Sequence, residues 1–385
     1  MTAPVSFLLL DSTGHGGLAR TVLNLANQLV AHRPVRVISV LRRGQEPRYT
    51  LDPRIEHEVL VDLVKGPGPL DRARHRRPSR LVPQPPDDGP GDGALTGLVD
   101  HALRRRLSRL EPGTLVTTRP TLHLAATRWR AKGVRVVGWD HLNYPCRYRQ
   151  PWLASVLDAA IPSLDAWVVL TDADACDYRE RFALGPERVR VIRNALSWAP
   201  AAEPAPLEAK RLVAAGRLVP VKGFSRLIDA FAGVARMHPD WSLDIHGEGP
   251  RREALQARID AHGIDDRVRL AGYVDDMAAT LRGASGLAMT SSAEGFPMVL
   301  LEAMAEGVPM VAMDCPRGPA EMVRDGENGF LVAEGDVAGF TRALHTLIGD
   351  AELRRSLGKQ AWLDAESYTT ERIVQDWLEL LDGVA

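Results

Sequence analysis

Two cations five positions apart, Arg217 and Lys222, stand in AAGRLVPVKGF directly before Gly223 and a helical pattern. A planar guanidinium and a compact ammonium beside a helix start suit a diphosphate and the charge that develops on it when a bond to it breaks. Lysine occurs only five times in the chain, at 65, 132, 210, 222 and 359, so a lysine in this turn stands out from an arginine-rich background. Two carboxylates with E-x7-E spacing, Glu294 and Glu302, occupy SSAEGFPMVLLEAMAEG. Gly295 and Pro297 set a tight turn with proline at the helix start, so Glu294 precedes the helix and Glu302 lies within it. Taken singly, Glu294 also reads as a capping carboxylate and Glu302 as an exposed helix carboxylate.

Two further stretches carry chemistry. In STGHGGLART, Gly16 and Gly17 open a helix directly after the first apolar run. Backbone N–H groups there can approach an anion along the helix dipole, although two glycines also simply make a tight turn. This is not a dinucleotide fingerprint, because VLRRG stands where the acidic partner would close the second strand. In GWDHLNYP, His141 and its neighbour Asp140 compete for one loop. A histidine after a strand can hydrogen-bond a substrate, but read alone it is more often an ordinary loop or capping residue. No D-x-D site is identifiable where a metal would be expected, and no pair of carboxylates stands at glycosidase-like positions.

The elements that must position these residues alternate along the chain. VSFLLLD (5–11), VRVISVL (35–41), EHEVLV (56–61), TLVTTR (114–119), VRVVGWD (134–140), AWVVLTD (166–172) and RVRVI (188–192) are short β-rich runs. Helical stripes lie between most of them, starting with 17–32. Strands alternating with helices predict a parallel sheet covered on both faces, here an α/β fold of two doubly wound halves. The Pro/Ala-rich stretch 197–211 reads as the linker between the halves, and 65–93, rich in Pro, Gly and Arg, as a flexible insertion. Ligands of such folds sit at the carboxyl ends of strands, which is where the motifs fall.

GRLVPVKG, HGEGP, AEGFPMVLLEAMAEGVPMVA and GPAEMVRDGENGFLV together resemble the nucleotide-sugar domain of GT-B retaining glycosyltransferases of family 4. The likeness covers about 205–365. The first half is similar more loosely, through GHGG, WDHLNYP, VVLTDADA and VIRNAL.

The resemblance implies two Rossmann-like domains facing across a cleft. They would be 1–196 on the acceptor side and 212–364 on the nucleotide-sugar side, with a helix in 365–385 crossing back to the first. By position it implies that Arg217 and Lys222 hold the donor diphosphate and that Glu302 takes ribose hydroxyls. Glu294 and His141 would lie near the transferred sugar, and Gly16 and Gly17 would close on the diphosphate. Asn194, Gly216, Gly247, Gly272, Gly295, Phe296, Pro297, Met298 and Val299 complete the implied donor-binding set, with 270–274 near the base. The implied reaction moves a sugar from a UDP- or GDP-type donor to an acceptor hydroxyl with retention, without cofactor or metal. The alternatives are a GT-B-like nucleotide-sugar epimerase and a non-catalytic nucleotide-sugar-binding protein.

Composition bounds the rest. The 385 residues carry a formal net charge of −1. Counted by halves, residues 1–200 hold 29 Lys+Arg against 20 Asp+Glu, about +9, and the remainder 19 against 29, about −10. That asymmetry points the first half at an anionic or membrane-associated acceptor, or expresses only a difference between solvated faces. Scattered arginines without interleaved aromatics argue against nucleic acid. Three widely spaced cysteines form no disulfide framework, and the apolar start lacks the basic flank of a signal peptide. With no apolar run of spanning length, the expected location is cytoplasmic, peripheral on the inner face of the membrane.

Overall fold

The computed structural model describes residues 2–13, 17–44, 49–82 and 95–383. The chain divides into two compact units, Met1–Arg193 with Ile373–Ala385, and Asn194–Arg372.

The first unit runs β1 (Val5–Asp11), α1 (Gly17–Leu29), β2 (Val35–Arg42), β3 (Glu56–Asp62), α2 (Arg72–His75), α3 (Gly97–Leu107) and β4 (Gly113–Thr117). It continues with α4 (Pro120–Trp129), β5 (Val134–Trp139), α5 (Tyr144–Tyr148), α6 (Pro151–Ala160), β6 (Ala166–Val169), α7 (Asp172–Phe182) and β7 (Val189–Val191). The seven strands form one parallel sheet in the order β3-β2-β1-β4-β5-β6-β7. Its central strands are near-continuous apolar runs because both faces are covered: Phe7, Leu8 and Leu9 are all fully buried.

The second unit runs β8 (Arg211–Ala215), α8 (Phe224–Ala235), β9 (Ser242–His246), α9 (Arg252–His262), β10 (Val268–Gly272), α10 (Met277–Arg282) and β11 (Gly286–Met289). Then follow α11 (Met298–Glu306), β12 (Met310–Asp314), α12 (Pro319–Met322), β13 (Gly329–Ala333), α13 (Val337–Gly349) and α14 (Ala351–Asp364). Six parallel strands are ordered β10-β9-β8-β11-β12-β13. Alternate residues of β8 and β9, Leu212, Ala214, Leu243 and Ile245, join Leu227, Phe231, Ile259 and Phe340 in one core. The last helix, α15 (Thr370–Asp382), belongs to the first unit from Ile373 onward. There Trp377 packs edge-on against Trp139, and Arg33 pairs with Asp382 at 2.6 Å.

Two expectations change. Residues 197–211 are not a free connector. Ala201 N and Ala205 N donate to Ala305 O and Glu306 O at 2.9 and 2.7 Å, and Leu207 is buried. Small, flat residues let this segment lie directly on the end of α11, so the boundary between units falls earlier, at 193/194. In the insertion expected over 65–93, the described part up to Val82 is held in place. α2 forms a helical turn, and Ser79 Oγ donates to Asp100 of α3 at 2.7 Å. Residues 83–93 lie outside the described residues.

Candidate functional site

In the second sheet the order of winding reverses between β8 and β11. In a doubly wound sheet, the loops leaving the carboxyl ends of such a pair diverge and leave room for a ligand. The turn after β8 carries Gly216, Arg217 and Lys222; the turn after β11 carries Glu294 and Gly295. Hydrogen bonds to main-chain carbonyls stitch these turns together. Thr290 Oγ1 donates to Gly223 O at 3.0 Å, Ser292 N to Val221 O at 2.8 Å, and Arg226 Nη2 to Thr290 O at 2.8 Å. Gly223 has φ +67°, and a Cβ there would lie 2.1 Å from Thr290 O, so only glycine permits the approach. The consequence is direct: Lys222 Nζ lies 2.6 Å from Glu294 Oε1, although the two are 72 residues apart. The stem of Lys222 lies over Gly216, where a Cβ would be 3.3 Å from Lys222 Cε. Arg217 is exposed and makes no ion pair among the described residues.

The turns after β9 and β10 extend the same edge. Gly216 N donates to His246 O at 2.9 Å, Leu218 N to Glu248 O at 2.9 Å, and Gly247 N to Gly272 O at 2.7 Å. A Cβ on Gly247, at φ +134°, would lie 1.9 Å from Gly216 O. Gly216, Gly247 and Gly272 therefore form one continuous backbone surface.

α11 starts after Pro297 without a side-chain cap; in its first turn Leu300 N donates to Pro297 O at 3.0 Å, and ahead of it the N–H groups of Met298 and Val299 mark the helix start. Gly295, Phe296 and Pro297 are buried, with Phe296 against the ring of Tyr368 at 6.0 Å; Met298 and Val299 are half-buried. Glu302 is 5% exposed, which rules out a solvated helix carboxylate. Ser197 Oγ donates to its Oε1 at 3.1 Å. One turn on, the buried Glu306 accepts from Trp198 Nε1 at 2.7 Å and from Arg282 at 3.3 Å. Consecutive residues of the incoming chain thus dock on carboxylates four apart on the helix. Asn194 is 4% exposed, and its Oδ1 has no hydrogen-bond partner among the described residues.

In the first unit Asp140 and His141 have different surroundings. Asp140 is buried and committed: Arg147 Nη2 and Nε donate to it at 2.5 and 3.0 Å, and Tyr178 Oη at 3.0 Å. Burial alone would raise its pKa, but the Arg147 guanidinium holds it below the usual carboxylate range. The His141 ring lies 4.3 Å from that of Trp139, tilted by 44°, and its Nε2 is buried without a partner among the described residues. Burial, aided by Arg147 and Arg119 against the opposing pull of Asp140, brings the His141 pKa down to about 3. The ring is neutral. Gly17 opens α1, and a Cβ there would meet nothing within 4 Å among the described residues; Gly16 lies outside them.

In the second unit the contacts bring together Lys222, Glu294, Gly216, Gly247 and Gly272; Arg217 stands in the same turn as Gly216, and Glu302 lies on α11 bonded to Ser197. Asp140, Gly17 and His141 belong to the first unit. Sequence reasoning missed Ser197 and Thr290, whose partners are set by the fold and leave no local signal. It also missed Arg147 and Tyr178, whose spacings of seven and 38 from Asp140 follow no motif.

Two doubly wound parallel sheets, with a cation–carboxylate cluster at the switch point of the second, define the GT-B class. Residues 15–197 match Glycosyltransferase Family 4, and residues 199–363 match Glycosyl transferases group 1. The chain belongs to the group 1 glycosyltransferases of GT-B fold. It is 32% identical over 389 residues to an exopolysaccharide phosphotransferase of Streptomyces coelicolor, covering 98% of this chain but 40% of that protein. It is 26% identical to an uncharacterized glycosyltransferase of Haemophilus influenzae, covering 98% of this chain and 99% of that one. Among solved structures, an S. aureus TarM variant in complex with fondaparinux, α-GlcNAc-glycerol and UDP superposes with a TM-score of 0.78. That likeness holds at 15% identity and covers 99% of this chain and 100% of that one. Among the described residues no helix is long and apolar enough to cross a membrane.

Proposed function

We propose that the protein transfers a sugar, with retention, from a nucleotide diphosphosugar to an acceptor hydroxyl during synthesis of a cell-envelope or secreted polysaccharide. The observation that carries this reading is the convergence of Lys222 and Glu294, at 2.6 Å, beside Arg217 and the uncapped start of α11. In the reaction the C1–O bond to the diphosphate breaks, its electron pair passing to the phosphate oxygen. The acceptor oxygen bonds C1 from the same face and gives its proton to that phosphate oxygen. Arg217, Lys222 and the first N–H groups of α11 stabilise the departing charge, so no metal is required of the site. Glu302, buried and oriented by Ser197, accepts hydrogen bonds from the ribose; Asn194 and the Gly216–Gly247–Gly272 surface line the donor. Neutral His141 donates or accepts a hydrogen bond at a hydroxyl of the transferred sugar rather than ferrying a proton. UDP in TarM and polysaccharide chemistry in the Streptomyces relative support the donor and product classes.

The acceptor side is proposed from charge. Arg72, Arg74, Arg76, Arg77 and Arg80 are all exposed, and Leu70, beside them, is 90% exposed. An anionic acceptor, held at an anionic membrane surface, fits that combination. Incubation with UDP- and GDP-sugars, with and without polysaccharide or lipid-linked acceptors, tests the whole reading. Acceptor-dependent release of nucleoside diphosphate supports it. Release of nucleoside monophosphate would instead assign the phosphotransfer named for the Streptomyces relative, and isomerised sugar without acceptor an epimerase.

A further inference from the structure

The two cations of the site differ in occupancy. Arg217 is exposed with no ion pair among the described residues, whereas Lys222 is already engaged by Glu294. Both partners of that pair are withdrawn from water, with side chains 24% and 12% exposed. Both sit on turns that are joined through Gly223, Thr290 and Ser292, and the Lys222 stem rests on Gly216. An ammonium has three donors, so geometry alone would let it hold a carboxylate and a phosphate together. Electrostatics opposes this. A diphosphate arriving at Lys222 sets two negative charges within a few ångströms of the Glu294 carboxylate, in a place where solvent screens them poorly.

Resting on the proposed donor site, we propose that Glu294 is a competing anion for Lys222 that sets the affinity for nucleotide with and without its sugar. In the donor-free protein Glu294 neutralises the ammonium. When a nucleotide sugar binds, Lys222 passes to the diphosphate, and Glu294 gains hydrogen-bond donors from the sugar hydroxyls that offset the loss. When the sugar has been transferred, that offset disappears. The carboxylate then faces bare diphosphate, and reforming its pair with Lys222 expels the product. The site therefore holds the donor more tightly, relative to its own product, than phosphate contacts alone would allow.

The test is binding, read by calorimetry on the full chain, with inorganic pyrophosphate, the nucleoside diphosphate released in the transfer assay and the corresponding nucleotide sugar. Glu294→Gln should bind pyrophosphate and nucleoside diphosphate about tenfold more tightly than the wild type, from the removal of one like charge at short range. Its affinity for the nucleotide sugar should stay the same or fall. In a Lys222→Met background the same Glu294→Gln change should lose most of its effect, because the contested ammonium is gone. Thermal unfolding of each variant checks that the fold persists. If Lys222→Met weakens nucleotide binding while Glu294→Gln does not tighten it, the competing role is wrong and the donor site stands. Equal tightening by Glu294→Gln with and without Lys222 also overturns it. A wild type that binds neither pyrophosphate nor any nucleoside diphosphate overturns the donor site as well.

Discussion

The carboxyl edges of the two sheets are built by different means. In the second unit the main chain does the positioning: Gly223 and Gly247 sit where a Cβ would lie 2.1 and 1.9 Å from a carbonyl oxygen, and turns from different strands meet backbone to backbone. In the first unit side chains do it. Asp140, 1% exposed, holds the loop after β5 through Arg147 and Tyr178, and Gly17 at the start of α1 has nothing among the described residues within 4 Å of where a Cβ would stand. A main-chain edge admits few residue types but does not titrate. A side-chain edge admits other networks at the same place, and it answers to pH.

That contrast can be broken first by glycine replacements. Gly247→Ala and Gly223→Ala combine a positive φ with overlap on a carbonyl oxygen, and each should cost about 4 kcal/mol or prevent folding. Gly17→Ala meets nothing within 4 Å among the described residues at a helix start, and its unfolding midpoint should match the wild type or rise slightly, by at most about 1 kcal/mol. Equal effects at the two edges, read in urea titrations, would mean that the second edge is not held by its backbone.

The side-chain edge should fail through charge. Asp140→Asn leaves Arg147, whose side chain is 11% exposed, buried without its carboxylate, and should cost about 3–5 kcal/mol. The sign of the pH dependence follows from Asp140 being held below the usual carboxylate range. Its contribution is complete above the unfolded-state pKa of about 3.9 and is lost as pH falls through the lower folded value. Wild-type stability should therefore drop on acidification below about pH 4, and the variant should lose that part of the acid limb. An unchanged acid limb in Asp140→Asn would remove Asp140 as its source.

How far this was legible in the sequence divides along the same line. The alternation of apolar runs and helical stripes predicts both sheets, because a strand buried on two faces must be apolar along its length. GRLVPVKG and the E-x7-E stretch announce the second edge, since glycine and proline at fixed offsets are what a backbone-built turn demands. The arrangement after β5 is silent, because Asp140, Arg147 and Tyr178 meet only once the helices pack. The stretch 197–211 misleads for a related reason. Prolines and alanines mark a connector when solvated, and serve equally to lay a segment flat on α11, where Trp198 and Ser197 find Glu306 and Glu302.

At the second edge, Arg217→Ala should lower turnover about a hundredfold at saturating donor, by loss of one fixed charge-stabilising donor. Its unfolding midpoint should not move, since the side chain is exposed and makes no ion pair among the described residues. A smaller effect is expected at Ser197→Ala. Glu302 keeps its place on α11 but loses the hydroxyl 3.1 Å from Oε1, and a bond to a charged group is worth about 1.5–3 kcal/mol, so nucleoside diphosphate affinity should fall about tenfold or more. Pyrophosphate, which has no ribose, should bind the variant as it binds the wild type. An equal loss for both ligands would place Ser197 in general packing rather than behind Glu302.

The smallest expected effect is a change that does not occur. A histidine near a reacting sugar is commonly read as a group that switches charge around its ordinary pKa of about 6.5. Burial, with Arg147 and Arg119 close by, holds His141 at about 3 against the pull of Asp140. From pH 8 to pH 5 the ring therefore stays neutral, and replacing it should scale the rate by the same factor throughout. The ratio of kcat/KM between wild type and His141→Gln should vary by less than about twofold over that range. Stability behaves differently: the unfolded chain takes up a proton on this ring near pH 6.5 and the folded one does not, so the neutral ring's contribution is complete above that pH and is lost as pH falls toward 3. The two measurements separate the roles. A rate ratio that bends near pH 6.5 would make His141 a proton carrier and give the first unit a titrating part in the chemistry. A flat ratio with an acid-dependent stability difference leaves the charge work to the fixed cations of the second.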